Sequence, residues 1–140
     1  MSTEQNKINV RRGFEEAINQ NRLDLFDELL APNYVNHNMP APQPGPAGMK
    51  AVLGMFMTAF PDFHVTVEDV IGEGDHVSSR GYFAGTHRGD FQGIPPTGKP
   101  VNVSYIDFWH AENGMMVENW VQLDMVGLMQ QVGVIPAPGQ

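Results

Sequence analysis

The sequence predicts an α+β fold in which three helices pack on one face of a curved antiparallel sheet. Two observations predict it. Apolar residues recur at helical spacing before Pro61, whereas after it the spacing falls to about two and β-branched and aromatic residues take over. Helices that precede a run of antiparallel strands favour a layer of helices on a sheet over an alternating parallel fold.

Composition limits both the domain count and the partners. With 140 residues, of which 41% are hydrophobic, we expect one domain over residues 1–140, with a frayed tail at 136–140. A net charge of −8 argues against binding to nucleic acid or to an anionic membrane surface. No apolar segment reaches membrane-span length and no signal peptide is evident, so we expect a cytoplasmic protein. The chain has no cysteine, which excludes thiolate chemistry.

The three helices are predicted from short apolar repeats. The first follows the N-cap types Ser2 and Thr3 and should end near Asn21, and the second covers residues 23–30. Pro32 stops the second helix, because a residue before proline disfavours helical geometry. A proline-rich loop over residues 38–48 follows, and its end starts the third helix over residues 46–60.

The second part of the chain is predicted to be mostly strand. Alternating apolar residues and flanking turn signals place strands at residues 63–71, 76–84, 101–109 and 115–123. Residues 86–91 have the composition of a further short strand. Residues 125–131 read as a closing helix that stops at Gly133.

Three local strings carry a resemblance to a known family. The most specific is GTHRGDFQGIPPTGKP at residues 85–100, and YVNH at residues 34–37 and ENW at residues 118–120 accompany it. These strings, with the order of elements, resemble the SnoaL-like polyketide and ester cyclases of the nuclear-transport-factor-type superfamily. The resemblance covers nearly the whole chain. It implies a cone-shaped, cystatin-like α+β barrel with an internal pocket for a small hydrophobic substrate.

The resemblance also implies a chemistry. The family's polyketide cyclases close a ring by an intramolecular aldol reaction without metal or cofactor, and an aspartate at the end of the last strand moves the proton. Asp124 matches that aspartate, and alternation puts Trp120 and Gln122 on its face as expected substrate contacts. Aspartate before a helix is also a common N-cap, so a capping interpretation of Asp124 stays open.

A second candidate group follows the second helix. Asn36 matches a family asparagine that holds a substrate oxygen in the pocket, although asparagine is equally typical of turns. Tyr34 is expected to bind substrate beside it. His37 either contacts the ligand or covers the mouth of the pocket.

The strand at residues 101–109 departs from the aldol cyclases. Tyr105 and Asp107 stand where those enzymes carry glutamine and histidine, and alternation places both on one face with Trp109. Two carboxylates in a poorly solvated pocket do not both ionise easily, so Asp107 beside Asp124 would allow one to act as a general acid. Tyr105 could equally be an ordinary core residue.

Arg80 and Tyr82 share one face of their strand. If that face points inward, the buried guanidinium of Arg80 needs a partner, and Asp107 or Glu118 would serve. An epoxide hydrolase family of the same superfamily has a tyrosine and asparagine like Tyr34 and Asn36 and an arginine like Arg80. Its two essential aspartates fall at Tyr82 and Gln122 here, so epoxide hydrolysis ranks below cyclisation.

We therefore expect a cofactor-free acid/base enzyme, with a hydrolase or isomerase and a non-catalytic carrier as alternatives. The scattered histidines and the lack of a glycine-rich phosphate loop predict no metal and no nucleotide cofactor. An exposed sheet face favours a homodimer or homotetramer. The sharpest geometric expectation is that five side chains converge on one cavity: Arg80, Tyr105, Asp107, Trp120 and Asp124.

Overall fold

The computed structural model describes residues 2–136 and residue 139, and it confirms the α+β class. The helices are α1 (Thr3–Arg12), α2 (Phe26–Leu29), α3 (Gly45–Ala59) and α4 (Met125–Gln131). A π-helical segment (Gly13–Ile18) continues α1, and a 3₁₀ turn (Leu23–Leu25) leads into α2. The strands are β1 (Leu30–Asn36), β2 (His64–Glu73), β3 (His76–Thr86), β4 (Pro100–Glu112) and β5 (Met115–Leu123). The predicted frayed tail falls largely outside the described residues.

The strands form one sheet in the order β1-β5-β4-β3-β2. The four predicted strands are antiparallel neighbours, whereas β1 pairs in parallel with β5 and was not predicted. The second helix ends at Leu29, three residues before Pro32, and β1 begins at Leu30 inside the range predicted to be helical. A proline is tolerated there because β1 is an edge strand and its pairing is interrupted between Leu30 and Val35.

The further strand predicted at residues 86–91 does not form. The backbone N–H groups of Arg88 and Gly89 instead both donate to the carbonyl oxygen of Ala59, near the end of α3. Gly89 packs so closely that a Cβ atom there would lie 2.2 Å from the carbonyl oxygen of Thr58. The connection is thereby tied to α3, and wholly buried His87 bonds Thr97 across it.

The sheet has an inner face toward the helices and an outer face toward solvent. Strand β4 shows this division most clearly, because buried and exposed residues alternate along nearly its whole length. Tyr105, Asp107 and Trp109 are buried, and Ile106 and Phe108 between them are exposed. Within the described part of the chain, no helix is long and apolar enough to cross a membrane.

Candidate active site

A cavity of about 100 Å³ lies between the inner face of the sheet and the helices. Its wall is largely apolar and includes Val10, Phe14, Val52, Phe56, Phe83 and Leu123. Polar side chains enter from three neighbouring strands: Asn36, Tyr105, Asp107 and Asn119, with the indole of Trp109 beside them. A second hollow of about 300 Å³, bordered by the proline-rich loop, shares Asn36, Met49 and Val52 with the cavity and extends the space toward the surface.

The π-helical segment after α1 shapes one wall of the cavity. A π-helix has a wider turn than an α-helix, and such segments are frequent at functional sites. Here the segment carries Phe14, whose ring centroid lies 5.2 Å from that of Tyr105 and 6.5 Å from that of Trp109. The indole and the phenol are therefore packed from the helical side as well as from the sheet.

Among the described residues, Asp107 is the one carboxylate that lines the cavity, and its side chain is held firmly. The residue is 4% exposed. Its partner is Ser79, which stands directly opposite on β3. The backbone N–H of Ser79 donates to Oδ1 at 2.7 Å, and the Ser79 hydroxyl lies 2.8 Å from Oδ1 and 2.9 Å from Oδ2. No cation neutralises the carboxylate among the side chains that line the cavity.

Burial raises the pKa of Asp107 to about 6, because the apolar cavity disfavours the charged form. The two Ser79 donors and the nearby Trp109 indole oppose that rise. A carboxylate with this pKa is mostly ionised at neutral pH, yet it is a stronger base than an ordinary aspartate. That combination suits a general base.

Trp109 carries an unused donor next to this carboxylate. The side chain is 7% exposed, and its ring stacks on Tyr34 with a centroid separation of 6.1 Å. Its Nε1–H lies close enough to Asp107 to favour the charged carboxylate. It nevertheless has no hydrogen-bond partner of acceptable length and angle among the residues that the structure describes.

Tyr34, Asn36 and Asn119 form the polar end of the cavity. The Tyr34 hydroxyl donates to the side-chain oxygen of Asn119, and burial together with the charge of Asp107 raises the pKa of Tyr34. The oxygen of Asn36 accepts from the backbone N–H groups of Asn38 and Met39, each at 3.1 Å. Asn36 is thus a turn residue and a cavity residue at once.

Burial raises the pKa of Tyr105 to about 12, so its phenol stays protonated and available as a donor. Its hydroxyl lies 3.3 Å from the hydroxyl of Ser79. The phenol therefore joins the same hydrogen-bonded group as Asp107 through Ser79. Tyr105 is both a core residue and a cavity residue.

Comparisons with known proteins agree with this geometry. The family model for SnoaL-like polyketide cyclases matches residues 8–132. The chain belongs to the SnoaL-like polyketide cyclase family. Solved structures similar to it include TsrD from Streptomyces laurentii, with 27% identity over 96% of this chain and 99% of that one and a TM-score of 0.88. A comparison with curated proteins finds no match.

Two further solved structures show that proteins similar to this chain carry different proposed activities. IdmH from Streptomyces antibioticus, a proposed polyketide cyclase, is 31% identical over 92% of this chain and 99% of its own, with a TM-score of 0.80. AclR from Streptomyces galilaeus, a proposed hydroxylase, is 25% identical over 99% of this chain and 87% of its own, with a TM-score of 0.86. Membership of the SnoaL-like family thus does not fix one reaction.

The expectation that Asp124 lies in the cavity of this SnoaL-like chain is wrong. Its side chain is exposed, and Oδ1 accepts from the backbone N–H of Gly127 at 2.9 Å as the N-cap of α4. Leu123 is the last inward residue of β5, and the chain turns into the helix directly after it. Asp124 therefore does not lie beside Asp107, and the predicted carboxylate pair does not form.

Trp120, Gln122 and His37 also lie outside the cavity. Strand β5 points Asn119, Val121 and Leu123 inward, so the residues between them face solvent. Trp120 is 39% exposed, and its ring stacks on that of His37 at 4.7 Å. His37 lines neither the cavity nor the second hollow that extends it toward the surface.

Arg80 and Tyr82 belong to the outer face as well. Arg80 binds Asp69 at 2.6 Å and Glu68 at 3.6 Å, so its expected partners Asp107 and Glu118 are both wrong. The inward positions of β3 alternate with these two residues and are occupied by Ser79 and Gly81. Gly81 is tightly packed, because a Cβ atom there would come 1.9 Å from the carbonyl oxygen of Thr66. Tyr82 does not line the cavity.

Among the residues at the polar end of the site, sequence analysis missed Ser79 and Asn119. The sequence held a signal for Asn119, because it shares a strand face with Val121 and Leu123. That face is more apolar than the opposite one, which includes Gln122, and the more apolar face of a strand is the one expected to point inward. Ser79 had no such signal, since serine is common on both faces of a sheet. Elsewhere in residues 2–136, no three His, Asp or Glu side chains are close enough to hold a metal ion.

Proposed function

We propose that this SnoaL-like protein is a cofactor-free acid/base enzyme that removes a proton next to a carbonyl group of a hydrophobic small molecule. The reaction that fits best is an intramolecular aldol-type cyclisation. One observation carries the proposal: a single carboxylate, Asp107, is buried at the polar end of an apolar cavity with its pKa raised to about 6. This moves the role expected of Asp124 to Asp107.

The reaction balances without a co-reactant. The carbon next to a carbonyl loses its proton to Asp107, and the electron pair of the C–H bond forms an enolate. The enolate carbon attacks a second carbonyl carbon of the same molecule, and the oxygen of that carbonyl takes the proton back from Asp107. Since every atom is kept, the product is an isomer of the substrate.

The surroundings of Asp107 suit both halves of this cycle. Ser79 fixes the carboxylate through its backbone N–H and its hydroxyl, so the base needs no reorganisation to reach the carbon. The amide groups of Asn36 and Asn119 line the same space and can donate to substrate oxygens. The apolar wall keeps water away from the enolate and so prevents its early protonation.

The alternatives have less support. An epoxide hydrolase-like reaction would use carboxylates at the positions of Tyr82 and Gln122, and both of these residues lie on the outer face of the sheet. A non-catalytic carrier needs no raised pKa at Asp107. The expected homodimer or homotetramer stays a prediction, as does the absence of a cofactor.

A test of proton removal does not require the native substrate. Exchange of the α-protons of 2-indanone, a small apolar ketone, can be followed by NMR in D₂O. We expect the protein to accelerate the exchange, and Asp107→Asn to lower the rate by about a hundredfold, the scale of a positioned base. Asp124→Asn is the matched control, because asparagine preserves the cap of α4 and the residue is outside the cavity.

Binding of 2-indanone without any acceleration of exchange would overturn the enzyme proposal in favour of the carrier. Loss of exchange in Asp124→Asn with activity retained in Asp107→Asn would return the role of base to Asp124.

A further inference from the structure

The Trp109 indole stands out among the polar groups of the chain. Its Nε1–H is a donor only and cannot accept a bond from a neighbour. It is one of three buried side-chain polar atoms without a partner among the described residues, and it is the one whose residue lines the cavity. The other two, on Asn6 and His87, belong to residues outside the cavity wall.

Leaving such a donor unpaired lowers the stability of the folded protein. Repacking does not relieve it, since the ring is held between Tyr34 on one side and Phe14 on another. The donor therefore stays beside Asp107 in the wall of the cavity. A ligand oxygen placed next to it would satisfy it.

The charge of the site limits what that oxygen can belong to. None of the described side chains lining the cavity is Lys, Arg or His, and Asp107 adds a negative charge. A carboxylate or phosphate at this end of a ligand would be repelled by Asp107 and would find no counter-charge. The group that fits is an uncharged acceptor, and a carbonyl oxygen is the simplest.

We propose that the Trp109 Nε1–H binds the oxygen of the substrate carbonyl whose neighbouring carbon loses its proton to Asp107. The proposal rests on the proposed function and adds the group that stabilises the enolate. As the C–H electron pair moves toward oxygen, the hydrogen bond from Trp109 strengthens. Trp109 is then a catalytic residue, and substrates with a charged group at this position are rejected.

The test compares two ligands of nearly equal shape, 2-indanone, which carries a carbonyl oxygen, and indane, which does not. In Trp109→Phe a smaller aromatic ring remains and the donor is lost. We expect binding of 2-indanone to weaken about tenfold, the scale of one hydrogen bond, while binding of indane changes less than about twofold. The carbonyl stretch of bound 2-indanone should also move to higher frequency in the variant.

The chain supplies its own control, since it has two tryptophans and Trp120 faces solvent. Adding 2-indanone should shift the ¹⁵N–H resonance of the Trp109 indole and leave that of Trp120 in place. If Trp109→Phe disturbs packing, the sulfur analogue of tryptophan, benzothienylalanine, removes the donor with almost no change of shape.

Equal loss of 2-indanone and indane binding in the benzothienylalanine variant would show that the ring matters and the donor does not, and would overturn the proposal. Unchanged binding of both would do so as well. These measurements involve no proton transfer, so they stand apart from the proposed function. A normal exchange rate in Asp107→Asn would refute the base but leave the Trp109 contact intact.

Discussion

Two carboxylates on neighbouring strands, Asp107 on β4 and Glu118 on β5, differ in almost everything except their chemistry. Asp107 points into the apolar cavity and has a pKa raised to about 6. Glu118 points outward, where its two oxygens each lie 2.9 Å from a histidine nitrogen, of His37 and His110. Those two contacts lower its pKa.

The difference shows that the face of the sheet, and not the residue type, sets the reactivity of an acidic side chain here. On the inner face, missing water raises the proton affinity and makes a base. On the outer face, water and hydrogen-bond donors stabilise the anion, so Glu118 is a poor base. The following predictions test that contrast, from the largest expected effect to the smallest.

The largest effect should come from pH. If Asp107 is the base, the exchange rate of 2-indanone should be constant above its pKa and fall about tenfold for each pH unit below about 6. Only the ionised carboxylate can accept the proton. A rate profile measured from pH 4 to 9 checks this, and a rate that stays level down to pH 4 would rule out Asp107.

A second effect concerns stability. The folded-state pKa of Asp107 is raised above its unfolded value, so the folded chain binds more protons between about pH 4 and 6. The wild-type protein should therefore lose stability as pH rises through that window. Asp107→Asn removes the buried charge, and we expect it to be more stable than wild type by about 1 to 3 kcal/mol at pH 8 and nearly equal at pH 4.

Urea unfolding at the two pH values measures this difference. Higher stability of Asp107→Asn at pH 8 would indicate that the carboxylate does not serve to stabilise the fold. A residue whose role is purely structural should lose stability when it is substituted. Lower stability of Asp107→Asn at both pH values would contradict the assigned cause of the raised pKa.

How far the sequence predicts these features depends on the strand. Periodicity gave the four antiparallel strands and put Tyr105, Asp107 and Trp109 together on the pocket face, because β4 alternates regularly. Periodicity says which residues share a face but not which face is inward. On β5 both sets contain a large apolar residue, so Trp120 was assigned to the pocket in error.

The other errors have local causes. Asp124 matched a catalytic position, yet the chain turns there and the first-turn amide of Gly127 takes its oxygen. Arg80 was expected to need a buried partner, although acidic side chains on the neighbouring edge strand, such as Asp69, provide one in solvent. Such cross-strand pairing depends on register, and a bulge between Val67 and Asp69 shifts it.

A smaller effect is expected at Ser79, which holds Asp107. Ser79→Ala removes the hydroxyl but keeps the backbone N–H bond to Oδ1. Because the hydroxyl lowers the pKa of Asp107, its loss should move the acid limb of the rate profile to higher pH by less than about one and a half units. The rate on the plateau should change little. A limb that stays in place, with a lower plateau, would mean that Ser79 acts on geometry alone.

The smallest effect is expected on the outer face, at Glu118. Glu118→Gln keeps the shape of the side chain and removes the charge that His37 and His110 stabilise. The pKa of Glu118 is lowered in the folded state, so its contribution to stability is present above the unfolded pKa and is lost as pH falls through the folded one. The variant should therefore have a lower thermal midpoint than wild type at neutral pH, and the difference should shrink in acid.

Exchange of 2-indanone by Glu118→Gln should stay within about twofold of wild type at every pH, since the residue is outside the cavity and solvent screens its charge. Thermal scans and the exchange assay on one set of samples measure both quantities. A large loss of exchange in Glu118→Gln would mean that the outer face takes part in the reaction, and the division of labour between the two faces would be wrong.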